Sequence, residues 1–167
     1  ERRDAAAYPK LRELIAGGDD ALALQALWAL YASGGTDESQ LAALLGHPAA
    51  DVRTWAVRLL GDEKNVKSDT ARRLEKLARD EPQATVRSQL ASTCKRLPGP
   101  LSLPIVAELA KRDEDRGDPF IPLLLWWAVE DKTADGRGLV LSLLTEPANW
   151  QRPLLAEWQG HKALVAA

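Results

Sequence analysis

The sequence predicts an all-α fold, an α-α superhelix of about five antiparallel helix pairs, and three observations carry that prediction. Pro48 to Leu60 (PAADVRTWAVRLL) and Pro82 to Cys94 (PQATVRSQLASTC) share one pattern 34 residues apart, matching at Pro48/Pro82, Val52/Val86 and Arg53/Arg87. Apolar residues recur at helical period in most segments, and Gly- or Pro-bearing breaks separate those segments. A fixed period of this size marks an array of units, each unable to bury its own apolar face and so obliged to stack on its neighbours. With 167 residues the chain holds units of about 8–35, 36–63, 64–99, 100–133 and 134–167, read as one helical-repeat domain.

In the first unit a short helix near Pro9 to Ala16 precedes a longer one from Asp20 to Ala32, with Gly17-Gly18 between them and Gly34-Gly35 after. Leu22, Ala26, Leu27 and Leu30 form the second helix's inward stripe. Thr36 or Asp37 caps the next helix, with Gln40 three residues after Asp37 in a spacing like a capping box and Leu41, Leu44 and Leu45 inward. Gly46-His47-Pro48 turns the chain into a helix with Val52, Trp55, Ala56, Leu59 and Leu60 on one face, and Gly61 stops it.

Ser68 is the expected cap of the third unit's first helix, whose inward face is Ala71, Leu74, Leu77 and Ala78. The partner helix buries Val86, Leu90, Ala91, Cys94 and Leu97 before Pro98-Gly99-Pro100 breaks the chain. The fourth unit places Pro104 in the opening turn of a helix bearing Ile105, Val106, Leu109 and Ala110, followed by a polar loop from Arg112 to Gly117. Asp118-Pro119 reads as N-cap and N1, and the helix from Phe120 to Val129 is apolar nearly all round, which calls for burial on several sides or a covering partner. In the last unit Leu139 to Leu144 is helical, and Trp150 to Leu164 is interrupted by Pro153 and Gly160.

Composition bounds the class. Apolar residues are 46%, charged residues 28% and the net charge is -2, an ordinary globular balance. No apolar run approaches the roughly 18 residues of a membrane-spanning helix. The chain begins at Glu1 without methionine or a signal-like segment and reads as a piece of something larger. Cys94 is the only cysteine, which excludes an internal disulfide, and its place in the apolar register predicts a small buried hydrophobe.

Two antiparallel helices with Pro and Asp in the turn and Val-Arg entering the second helix resemble HEAT repeats. Asp51-Val52-Arg53 matches that pattern, and Thr85-Val86-Arg87 matches it without the Asp. The resemblance implies an Asp and Arg ladder along the stack, so Arg53 and Arg87 are structural first. The segments ALWAL (26–30), HPAADVRTWAVRLLGD (47–62), VRSQLASTCKRLP (86–98) and DPFIPLLLWWAVE (118–130) further resemble the HEAT-repeat region of large exported bacterial proteins known as membrane-bound dehydrogenases. In those, a β-propeller resembling sugar dehydrogenases precedes the repeats and a haem c domain follows. The resemblance implies an exported or periplasmic parent whose redox chemistry lies outside these residues, because the chain has neither propeller nor Cys-x-x-Cys-His motif.

No catalytic, cofactor or metal constellation is predicted. His47 and His161 are the only histidines, and neither has a ligand at metal-binding spacing. Gly136-Arg137-Gly138 reads as a turn rather than a dinucleotide loop, and Asp113 to Asp118 reads as a solvated acidic loop without EF-hand spacing.

Six tryptophans stand beside one phenylalanine. Trp55 lies in the apolar stripe and reads as core, whereas Trp28 lies off its stripe and adjacent Trp126 and Trp127 cannot point the same way, so these three are candidate partner contacts. Residues 64–97 hold nine Lys/Arg against four Asp/Glu and residues 98–135 four against eight, a polarity able to orient a partner. Arg72, Arg73 and Arg79 join the contact candidates on that basis. Two functions compete: a non-catalytic scaffold contacting other proteins or neighbouring domains, and a HEAT-like DNA-binding or DNA glycosylase-type module using Arg72, Arg73, Lys76, Arg79, Arg87, Lys95 and Arg96. Against nucleic acid stand a sequence pI of about 5.8 and the acidic fourth unit. No direct membrane insertion is expected.

Overall fold

A computed structural model describes residues 4–17 and 19–146. Trp150, Trp158, His161 and the expected helix from Trp150 to Leu164 lie outside the described residues. Among those described, every regular element is helical: α1 (Tyr8–Ala16), α2 (Asp20–Ala32), α3 (Glu38–Ala43), α4 (Ala50–Leu60), α5 (Ser68–Asp80), α6 (Ala84–Arg96), α7 (Gly99–Leu109), α8 (Ile121–Asp131) and α9 (Thr133–Thr145). The fold is therefore all-α, and its helices stack in two rows. One row runs α2, α4, α6, α8 and the other α3, α5, α7, α9, with α1 packed on α2.

Three helices of the first row, α4, α6 and α8, repeat one burial pattern. Val52, Ala56, Leu59 and Leu60 of α4, Val86, Leu90, Thr93 and Cys94 of α6, and Ile121, Leu125, Ala128 and Val129 of α8 are all buried, at helical offsets 0, 4, 7 and 8. The step is 34 residues from α4 to α6 and 35 from α6 to α8, so the loop before α8 carries one extra residue.

Several local expectations are corrected. In α2 Ala23 takes the inward place and Leu22 is 41% exposed, because α1 and α4 cover the face centred on Ala26 and Leu27. Leu44, Leu77 and Trp55 are half-buried rather than core. Ser68 is the first helical residue of α5 and no cap: the preceding unit supplies it, since Glu38 Oε1 accepts from the Lys67 N–H (2.8 Å) and the Thr70 hydroxyl (2.5 Å). Helix α7 begins at Gly99, directly after Pro98, and continues through Pro104, whose ring lies on the exposed side. Asp118 caps α8 from two residues further out than expected, accepting from the N–H groups of Phe120 (2.8 Å) and Ile121 (2.9 Å), so Pro119 precedes the helix and Pro122 sits in its first turn. Gly136-Arg137-Gly138 is not a free turn but part of α9, which kinks at Gly136 (φ -132°, ψ 29°).

A ladder of charge-assisted hydrogen bonds joins successive units. Arg53 donates from Nε and Nη2 to the Glu81 carboxylate (2.8 and 2.7 Å) and from Nη1 to the carbonyls of His47 and Pro48 (2.8 Å each). Arg87 repeats this 34 positions on, donating to Asp115 (2.6 and 2.5 Å) and to the carbonyls of Glu81 (3.0 Å) and Pro82 (2.8 Å). Each guanidinium thus fastens its own turn and grips the carboxylate of the next unit. Asp51 has no part in it and is exposed. The acidic run is exposed at Asp113, Glu114, Arg116 and Gly117, but Asp115 within it is 1% exposed and belongs to the ladder.

Helix C-termini are closed from the neighbouring unit as well. Arg96 Nη2 donates to the Arg58 carbonyl of α4 (3.1 Å), Arg112 Nε to the Ala78 carbonyl of α5 (3.1 Å) and Lys132 Nζ to the Lys95 carbonyl of α6 (2.7 Å). The Ala78 and Lys95 carbonyls lie in the last turns of their helices and stacking supplies their donors, while the Arg58 carbonyl takes the Arg96 bond in addition to the Gly61 N–H (3.1 Å). Gly61 ends α4 where a Cβ would meet Thr93 Cγ2 at 2.7 Å, which is why a glycine stands there.

Breaking the Arg87–Asp115 pair strands a buried carboxylate. Arg87→Ala is expected to cost about 3–5 kcal/mol by urea unfolding, while the apolar double replacement Arg87→Met/Asp115→Leu costs less, about 1–3 kcal/mol, because only the Glu81 and Pro82 carbonyls then lose their donor. Burial alone would raise the Glu81 carboxyl, but hydrogen bonds from Arg53 and the Gln83 N–H, with the charges of Arg53 and Arg87, hold it below the ordinary range. A folded value below the unfolded one stabilises fully above the unfolded pKa, about 4.3, and that stability is lost as pH falls through the folded value. Glu81→Gln is expected to flatten the acid limb of a stability-versus-pH series, and an unchanged limb would count against this assignment.

Candidate interaction surface

The outward side of the α2, α4, α6, α8 row follows from the burial pattern. Outward positions are Asp51, Thr54 and Arg58 in α4, Thr85, Ser88 and Ser92 in α6, and Phe120 at the N-cap of α8 with Leu123 and Trp127 within it. The surface is charged or polar on α4, small and hydroxylated on α6, and apolar on α8. Phe120 is 65%, Leu123 45% and Trp127 43% exposed, and offsets of 0, 3 and 7 set them on one helix face. The sequence marked this helix as apolar all round, and two turns of it face solvent in the described residues.

Of the candidate contacts, Trp28 is 40% exposed and meets Trp55 edge-to-face, with centroids 4.9 Å apart and planes at 74°. Arg58 lies 5.3 Å over the Trp55 ring, so Trp55 is the middle of a surface aromatic cluster. Trp127 carries Lys95 at 5.8 Å from its centroid. Trp126 is half-buried and packs against the core. It occupies the α8 position equivalent to Val57 and Ala91, which face the following unit. Trp28 and Trp127 therefore share the outer row at its two ends, and Trp126 points along the stack.

The basic candidates belong to the other row. On α5, Arg72 and Arg73 both reach Asp69 (3.4 and 3.0 Å), and Lys76 reaches Asp80 (2.6 Å). Arg79 bridges Glu75 (3.4 Å) and Glu108 of α7 (3.1 Å). Hydrogen bonds and the charge of Glu108 hold the Arg79 guanidinium above its ordinary value, and burial raises the Glu108 carboxyl less than Lys111 and Arg79 lower it. Arg87, part of the basic cluster in sequence, is 4% exposed and held by Asp115. Arg72 and Arg73 share Asp69, whereas Lys76, Arg79 and Arg87 each reach a carboxylate of their own, so every one of these cations is ion-paired.

Reactive groups are accounted for structurally. Cys94 is fully buried in α6, and burial pushes its thiol up to about 12. His47 occupies the ladder position of Glu81 and Asp115 in the preceding unit, its Nδ1 accepting from the Ala49 N–H (3.1 Å) and its Nε2 donating to the Ile15 carbonyl (2.8 Å). Among the described residues no three His, Cys, Asp or Glu side chains gather as a metal site, and no helix is long and apolar enough to cross a membrane.

Residues 38–118 match the family model described as HEAT repeats. That span contains both ladder arginines and both carboxylates they hold, so the ladder lies within the part of the chain that is similar to HEAT repeats. No curated protein and no solved structure matches the chain.

If Trp28 and Trp55 stabilise each other through ring contact, the double-mutant cycle of Trp28→Ala and Trp55→Ala gives a coupling of about 0.5–1.5 kcal/mol in thermal or urea unfolding. Strict additivity would show that the two rings share a surface without interacting.

Proposed function

We propose that this chain is a non-catalytic helical-repeat scaffold that holds a protein partner or a neighbouring domain of its own polypeptide. The observation that carries the proposal is the outward row. Its inner positions keep the repeat pattern through α8, whereas its outer positions change from polar to apolar there, leaving Phe120, Leu123 and Trp127 exposed. Solenoids present such faces to partners, and clustered exposed aromatics mark interaction surfaces. Trp28 and Trp127 are the aromatic contacts in this proposal, Trp126 a contact to whatever stacks after α8, and Arg72, Arg73 and Arg79 peripheral charges on the opposite row.

The finer identity we propose is the repeat region of a large exported redox protein of the membrane-bound dehydrogenase type. Its support is the likeness of the tryptophan-bearing segments, and its redox groups belong to domains outside these residues. The sequence of the full-length gene product tests it: a propeller upstream and a Cys-x-x-Cys-His motif downstream are expected, and the lack of both would end the proposal.

The scaffold role is tested by lysine crosslinking of the intact polypeptide followed by peptide mapping. Crosslinks from Lys64 and Lys95, which flank the outer row, to residues beyond this region or to another protein are expected. Their confinement to this region would contradict the role. Duplex DNA at low salt is expected to leave electrophoretic mobility unchanged, in keeping with the paired arginines of α5.

A further inference from the structure

Resting on the scaffold role, we propose that the outward stripe of α8 and the basic cleft beside it form one seat for an acidic amphipathic helix of a protein partner. The stripe is not the unfinished end of the stack. Positions that look toward the following unit are those of Arg53 and Val57 in α4 and of Arg87 and Ala91 in α6, and their α8 counterparts are Pro122 and Trp126. Phe120, Leu123 and Trp127 instead occupy the places of Thr85, Ser88 and Ser92, of which Thr85 is exposed and Ser88 and Ser92 are half-buried, none of them fully covered even with α8 stacked beside α6. A further unit continuing the stack therefore leaves them outward, and what covers them must lie across the row.

The chemistry of the occupant follows from the neighbouring charges. A cleft of about 450 Å³ next to Trp127 is lined by Lys64, Lys95, Arg96 and Lys132 against a single carboxylate, Asp131. Lys132 pairs with Asp131 (2.5 Å) and Arg96 with Asp62 (2.6 Å). Lys64 and Lys95 form no ion pair among the described residues, and the Lys95 ammonium lies 5.8 Å from the Trp127 ring. The apolar stripe and the unmatched cations are thus contiguous. A helix laid along α8 sets apolar residues at i, i+3 or i+4 and i+7 against the stripe, and carboxylates at its end reach Lys64 and Lys95. A basic helix would meet like charge there and be rejected.

The probes are two dye-labelled synthetic helices of about five turns, long enough to fold. Both carry leucines at i, i+3, i+4 and i+7; one has two Glu at the end that meets Trp127 and the other two Lys. Fluorescence anisotropy at low salt is expected to show the Glu helix binding at least about 10-fold more tightly. Leu123→Glu abolishes binding of both, and Lys95→Glu weakens the Glu helix about 10-fold while strengthening the Lys helix. Both substitutions are at exposed positions, and unchanged far-UV circular dichroism verifies that the variants fold. Equal affinity for the two helices, absence of binding by either, or binding indifferent to Leu123→Glu overturns the proposal, as does duplex DNA taking the cleft in a Lys95-dependent way. If the helices fail while crosslinks from the intact polypeptide persist, this proposal falls and the scaffold role stands.

Discussion

Two guanidinium–carboxylate pairs, Arg87–Asp115 buried and Arg53–Glu81 partly so, hold the units of this chain in register, and the rest of the structure depends on them. Arg53 and Arg87 each satisfy two carbonyls of their own turn and both oxygens of the next unit's carboxylate. A buried arginine is tolerated only when such a set of acceptors is complete, because an unmatched ion in the interior costs several kcal/mol. The ladder therefore constrains more than it stabilises: it admits one relative placement of neighbouring units, and apolar packing of both helix rows supplies most of the driving force.

That constraint explains how the outer surface is free to vary. With inner positions of α4, α6 and α8 fixed at offsets 0, 4, 7 and 8 and Arg53 and Arg87 holding the next unit, the outward positions are not constrained by the core in the described residues. They change from Thr, Ser and Asp to Phe, Leu and Trp between α6 and α8 while the interior pattern persists. Cys94 and His47 are both used structurally, the thiol buried within α6 and the imidazole bonded to its own turn and to the Ile15 carbonyl.

Much of the fold was legible because it is periodic. The 34-residue repeat located both ladder arginines and the inward faces of α4 and α6, and the composition of the 120–129 segment disclosed its outward apolar side. The partners of the arginines were hidden. Glu81 and Asp115 differ in identity, the loops around them differ in length, and the Asp beside Arg53 drew attention to the wrong carboxylate. Ser68 was misread because a local capping rule cannot see Glu38 reaching across from the preceding unit. The basic cluster looked available in sequence, and only the structure matches Arg79 with Glu108 and Arg87 with Asp115. Trp55 fell in the apolar stripe by period and packs against the core, yet it is only half-buried and meets the exposed Trp28.

Native-state hydrogen exchange tests most directly whether the ladder makes the stacked units one cooperative body. If Arg53 and Arg87 lock α4, α6 and α8 together, the slowest amides of these three helices open with the same free energy and the same denaturant dependence, equal to global unfolding. Opening of α4, α6 and α8 in separate steps, each with its own lower free energy, would contradict it.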